Sequence, residues 1–80
     1  MARVLMHVSA CYDGETTPAG EVAVVDAEFA RRVVLMGHGD LIVDGEPVDF
    51  ATACERLRAG ADEIAAFARI RAAALAEREG

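Results

Sequence analysis

The chain of 80 residues contains no lysine, asparagine, glutamine or tryptophan, and it has only two cysteines and two prolines. It also lacks an apolar run near the roughly 20 residues that a membrane-spanning helix needs, which predicts a soluble protein with no membrane partner. Cys11 and Cys54 are too few for the disulfide framework of a small secreted domain. We therefore expect two free thiols in a reducing environment.

Positive charge is scarce as well. Eight Arg residues stand against fourteen Asp and Glu residues, which gives a net charge of −6. Because nonspecific binding to nucleic acid depends on neutralising phosphates, direct contact with nucleic acid is not expected. A chain of this length forms one small domain with a marginal core.

The first 48 residues predict a small β-rich head. Arg3–Val8 reads as a strand, and Glu21–Val25 reads as a second, antiparallel strand with Val22 and Val24 on one face. The loop between them contains the turn signals Asp13-Gly14 and Pro18-Ala19-Gly20.

A short helix over residues 26–37 follows these strands. Asp26 is a typical N-cap residue, and Gly37 suits the left-handed position that ends a helix. Leu41–Val43 then predicts a third strand, and Asp44-Gly45 predicts a tight turn into a short edge segment. The expected fold class is α+β: a small three- to four-stranded antiparallel β head with one short helix, followed by a long C-terminal helix.

The long helix is predicted over residues 49–80, with Asp49 as its N-cap. Apolar or small residues recur from Phe50 to Leu75 at steps of four and three, and Arg71 is the one exception in this stripe. The heptad phase continues unchanged through Gly60, which favours one continuous helix even though glycine costs about 1 kcal/mol inside a helix. A bend at Gly60 remains compatible with this prediction.

Such a helix would be roughly 45 Å long, whereas a head of 48 residues would be only about 25 Å wide. Part of the apolar stripe would therefore be left for another subunit or a larger assembly. The residues predicted to make this protein contact are Leu57, Ala61, Ile64, Phe67, Ala68, Ile70 and Leu75.

No motif indicates catalysis or metal binding. His7, Cys11, His38 and Cys54 are the usual zinc ligand types, but no pair has the local spacing of a zinc motif. The loop around Asp13 has oxygen ligands without EF-hand spacing. We expect no cofactor, no metal, no catalytic residue and no enzymatic activity.

The middle of the chain resembles a pattern found in small tailed-phage proteins that are encoded among capsid and head-assembly genes. The matching features are Pro18–Glu21, the valine-rich strand that ends before Asp26, the short helix containing Ala30, and Gly37–Gly39 before the last strand. The resemblance covers roughly residues 3–43. It implies a role in the virion and no catalytic residues.

The leading hypothesis is a capsid decoration or minor capsid protein. It would be made in the host cytoplasm, would form a homo-oligomer or bind the lattice, and would contact the major capsid protein or other virion proteins through the C-terminal helix. The alternatives are a head–tail connector in the neck and a small cytoplasmic regulator that dimerises through the helix.

Overall fold

The strand signals of the first half form an antiparallel sheet in the computed structural model, which describes residues 1–79. The sheet has the order β4-β1-β5-β6, and β2 and β3 pair as a separate hairpin. The strands are β1 (Ala2–Met6), β2 (Ala10–Tyr12), β3 (Glu15–Thr17), β4 (Val22–Val25), β5 (Gly39–Val43) and β6 (Glu46–Pro47). The predicted α+β class, with an antiparallel sheet, a short helix after its first strands and a long last helix, is confirmed.

Two aspartates begin the helices that follow the sheet strands, as predicted. Asp26 accepts a bond from the Phe29 N–H at 2.7 Å and begins α1 (Ala27–Leu35). Asp49 accepts one from the Thr52 N–H at 2.8 Å and begins α2 (Phe50–Arg56). Side-chain and backbone hydrogen bonds from Thr52 hold the pKa of Asp49 below its ordinary value, so this cap remains charged at neutral pH.

The core lies between one face of the sheet and the helices α1 and α2. Its buried members are Val4, Met6, Ala23, Val25, Ala30, Val33, Val34, Leu41, Ala53 and Leu57. On β4 the core residues are thus Ala23 and Val25, while Val22 and Val24 face the other way. The two valines that the sequence places on one face therefore lie on the face away from the core.

The prediction of one continuous helix over residues 49–80 is wrong. After α2 the chain forms α3 (Ala61–Ala66) and α4 (Ala68–Glu79), with interruptions at residues 57–60 and at Phe67. Gly60 does not sit inside a helix, because its backbone is extended and it precedes the first residue of α3. The heptad spacing of apolar residues continues from α2 through α3 into α4, so this spacing does not indicate a single helix.

Arg58 lies two residues after the last residue of α2 and closes the C-terminus of that helix. It adopts a left-handed backbone with φ 56°, and the bonds Arg58 N–H to Glu55 O and Ala59 N–H to Cys54 O close the helix in a Schellman motif. Gly37 occupies the same place after α1, with φ 77° and the corresponding pair of bonds. The two helices therefore end in the same motif, but only α1 has the glycine that predicts it from the sequence.

Replacing Arg58 with glycine is expected to stabilise the protein by about 1 kcal/mol, because a left-handed backbone costs roughly that much for a residue with a Cβ. Urea unfolding of the two proteins measures the difference. Arg58→Ala is the matched control, since it removes the same side chain and keeps the Cβ. An equal gain in Arg58→Ala would assign the effect to the Arg side chain and contradict the backbone explanation.

Arg71 holds the C-terminal segment against the head. Its Nη1 donates to the Leu35 carbonyl at 2.9 Å and to the Ile64 carbonyl at 3.3 Å, and its guanidinium lies 4.4 Å from the centre of the Phe50 ring. A Cβ on Gly37 would lie only 3.2 Å from Ala74 Cβ, which shows how closely α4 approaches the end of α1. The result is a body of 29 × 29 × 23 Å with no projecting rod in residues 1–79.

Candidate protein-interaction surfaces

One whole face of the four-stranded sheet points away from the core. Directly paired residues of antiparallel strands share a face, and the pairings Arg3 with Val24 and Ile42, and Leu5 with Val22 and Asp40, define this one. We call it the open face; its members are Arg3, Leu5, Val22, Val24, Asp40, Ile42 and Pro47. Val22 is 48% exposed and Val24 is 53% exposed, so solvent reaches the apolar side chains of this surface.

The polar side chains of the open face are few. Asp40 Oδ2 lies 2.9 Å from His7 Nε2, next to the end of β1. Arg3 is exposed and makes no salt bridge with the described part of the chain, residues 1–79. Arg3 lies between Val24 and Ile42, so a single cation stands within an otherwise apolar row.

The open face is small. Four strands at about 4.8 Å spacing and four to five residues at about 3.4 Å each cover roughly 300 Å². Covering it with a partner would bury roughly 600 Å² in total, well below the ~1,200 Å² of a stable binary interface. One copy would therefore bind weakly through this face alone.

The seven residues predicted as an interaction stripe do not form one surface. Leu57 is only 8% exposed and belongs to the core, so its prediction as a contact residue is wrong. Ile64 and Phe67 are half-buried, while Ala61, Ala68, Ile70 and Leu75 are exposed. Ile70 and Leu75 are separated by about 140° around α4, because five residues are close to one and a half turns. No single partner surface would contact both along a straight seam.

The two thiols lie in different surroundings. Cys11 is exposed and Cys54 is buried, and both are free. Burial raises the pKa of the Cys54 thiol, an effect that the charge of Arg71 partly opposes, so the thiol is protonated at neutral pH. Residues 1–79 contain no group of three or more His, Cys, Asp or Glu side chains that could hold a metal ion.

A cleft of about 280 Å³ lies between the head and α4. Phe50, Leu75 and Arg71 are among its lining residues, and the Arg71 guanidinium is already bonded to two backbone carbonyls. The cleft thus marks the joint between α4 and the head.

No helix in the described part of the chain is both long and apolar enough to cross a bilayer. Comparisons with protein-family models, with curated proteins and with solved structures find no match for this chain.

Proposed function

We propose that this chain is a small, non-catalytic structural protein of a phage particle, which docks on the major capsid protein or another virion protein through its open face. The observation that carries the proposal is a sheet face turned away from the core, on which Val22 and Val24 are exposed and Leu5 and Ile42 are half-buried. The resemblance of residues 3–43 to small phage head proteins supports the choice of partner.

The size of the open face favours a lattice over a single partner. A contact of roughly 600 Å² is too small for a stable pair. When one copy contacts two neighbouring subunits of a lattice at the same time, however, the second contact becomes intramolecular and each contact can be weak. A decoration or minor capsid protein meets that condition. A neck connector, present in few copies, would need a larger contact per copy.

The helices play a supporting role in this proposal. Apolar residues of α1 and α2 cover the inner face of the sheet, and Arg71 ties α4 to the end of α1. The C-terminal helix thereby stiffens the head that presents the open face. This differs from the expectation that the helix itself is the docking element.

Incorporation into particles tests the proposal. Val22→Glu places a charge on the open face at an exposed position opposite Leu5, and we expect it to lower the copy number per purified particle at least about tenfold, since a buried unpaired carboxylate is costly. Quantitative mass spectrometry of particles, assembled in cells that produce the variant, gives that copy number.

Leu75→Glu is the matched control, because Leu75 on α4 is 42% exposed and apolar as well. It should load like the unmodified chain. Loss of loading in Leu75→Glu alone would transfer the docking role to α4. Absence of the unmodified chain from particles, together with its presence free in the lysate, would overturn the virion role and favour a cytoplasmic regulator.

A further inference from the structure

β4 is an edge strand, and backbone groups on its outer side have no partner among residues 1–79. The Met6 N–H donates to the Glu21 carbonyl at 2.9 Å, which sets the phase of the β1–β4 ladder. Bonds alternate along an antiparallel pair, so Ala23 and Val25 bond to β1. The N–H and C=O groups of Val22 and Val24 then point away from the sheet.

The β2–β3 hairpin stands opposite this edge. Tyr12 packs edge-on against Phe29, with ring centres 4.9 Å apart. Its hydroxyl donates to Asp26 Oδ2 at 3.2 Å and accepts the Asp26 N–H at 3.3 Å. The N–H groups of Val22, Val24 and Asp26 all point away from β1. The last of them, that of Asp26, already donates to the Tyr12 hydroxyl. The hairpin is therefore fixed on the α1 side of β4 without bonding to Val22 or Val24.

Between β4 and the hairpin runs a groove of about 320 Å³, which we call the β4 groove. Residues of β4 form one wall, and Tyr12, Asp13, Glu15 and Thr17 of the hairpin contribute the other. Met1 also lines the groove, and among the lining side chains two are carboxylates and none is basic. An open strand edge beside a negatively charged wall is suited to an extended, positively charged segment.

We propose that the β4 groove binds an extended basic segment of another protein as an additional strand of the sheet. Side chains alternate between the two faces of such a strand. Apolar residues would lie beside Val22 and Val24 on the open face, and Lys or Arg residues would point toward Asp13 and Glu15. Recognition thus requires alternation of apolar and basic residues over four to six positions, the length of β4 and its flanks.

Charge excludes a second copy of this chain as the occupant. Pairing β4 with β4 would bring two sets of Asp13 and Glu15 together, on chains that each carry a net charge of −6. Like charges placed opposite each other across an interface oppose association. The inference rests on the proposed function only for the source of the segment, a virion protein; the groove itself is testable with the isolated chain.

The probe is a capped heptapeptide of alternating valine and lysine, titrated into the isolated full chain and followed by amide NMR. We expect the largest shifts, and slowed hydrogen exchange, at the Val22 and Val24 amides. The same peptide with glutamate in place of lysine should not bind. A peptide N-methylated on the residues that face β4 should not bind either, because it lacks the donors for an added strand.

The structure supplies a closely matched pair of variants. Asp13-Gly14-Glu15 and Asp44-Gly45-Glu46 are both tight turns, with φ near 52° at each aspartate and 79° and 82° at the glycines. Asp13→Asn with Glu15→Gln should weaken peptide binding about five- to tenfold, the expectation for loss of two exposed ion pairs. Asp44→Asn with Glu46→Gln removes the same charge far from the β4 groove and should leave binding unchanged.

Val24→Pro removes an outward N–H while leaving the β1 ladder intact, since edge strands tolerate proline. It should weaken binding at least about tenfold by losing one hydrogen bond and blocking close approach. Equal weakening by both charge variants would mean nonspecific attraction and would overturn the proposal. Amide NMR shifts located on α4 would overturn it as well, and so would self-association of the unmodified chain through β4, measured by sedimentation. Peptide binding by a chain that never enters particles would retain the groove and reject the virion role.

Discussion

Replacing Arg71 with leucine is expected to release α4 from the head and to lower the free energy of unfolding by about 3 kcal/mol. The guanidinium bonds to the Leu35 carbonyl at the end of α1 and to the Ile64 carbonyl in the last turn of α3. Both carbonyls belong to helix ends, whose last C=O groups have no partner within the helix. A cation also suits the negative end of a helix.

Leucine keeps much of the aliphatic volume of Arg71 but donates nothing, so two partly buried carbonyls would lose charge-assisted bonds at once. The contact of the guanidinium with the Phe50 ring, at 4.4 Å, would be lost as well. Because the rest of the joint is small, with Ala74 as its buried α4 residue, little else would hold α4 in place.

Urea unfolding and hydrogen exchange measure this prediction together. Exchange should become fast throughout α4 and stay slow in β1 and β5. Arg69→Leu is the control, since Arg69 is exposed on the same helix and its loss should change stability by less than about 0.5 kcal/mol. Slow exchange of α4 in Arg71→Leu would show that apolar contacts alone hold the helix.

Adding one methyl group at Gly39 is expected to lower the free energy of unfolding by about 3 kcal/mol, the upper part of the range for overpacking. A Cβ there would lie 2.6 Å from Val4 Cγ1, 2.8 Å from Val33 Cγ1 and 3.0 Å from the Leu5 carbonyl. Val4 is fully buried and the carbonyl belongs to the β1 backbone. Neither neighbour can move without disturbing the sheet or the seat of α1 on it.

Gly60→Ala serves as the comparison for Gly39→Ala. A Cβ on Gly60 would meet nothing within 4 Å, and the backbone there has φ −80°, which alanine adopts freely. The thermal stability should therefore change little in Gly60→Ala, because the lower entropy of the unfolded chain with alanine offsets most of the poorer helix cap, and it should fall clearly in Gly39→Ala. Equal stability of the two variants would mean that the core can expand around β5.

The local features of the head follow from its sequence. Short apolar runs predict β1 and β4, Asp26 and Asp49 predict the two helix starts, and Gly37 predicts the end of α1. These signals act within a few residues, through strand propensity, capping and turn geometry, so tertiary contacts have little to change. Cys54 is buried as well, because the first two turns of the C-terminal segment bury one face.

The errors arise where no local signal exists. Glycine is expected at the position of Arg58, because a left-handed backbone costs about 1 kcal/mol for Arg. The burial of Ala53 and Leu57 in the core outweighs that cost. In β4 every side chain is apolar, so periodicity leaves open which face is buried. From the sequence one could have inferred only that one set of apolar side chains on β4 would remain exposed, because a strand that is apolar on both faces needs a cover on both.

By itself, the sequence determined the α+β class, the helix caps, the antiparallel strands and the absence of a recognisable catalytic or metal motif, all of which depend on short-range chemistry. The tertiary structure alone decided that the C-terminal segment turns at Arg58, that Arg71 anchors it, and that the open face and the β4 edge remain uncovered. Those outcomes depend on contacts between residues that are far apart in the sequence. The spacing of apolar residues within one helix carries no information about the direction of the helix that follows it.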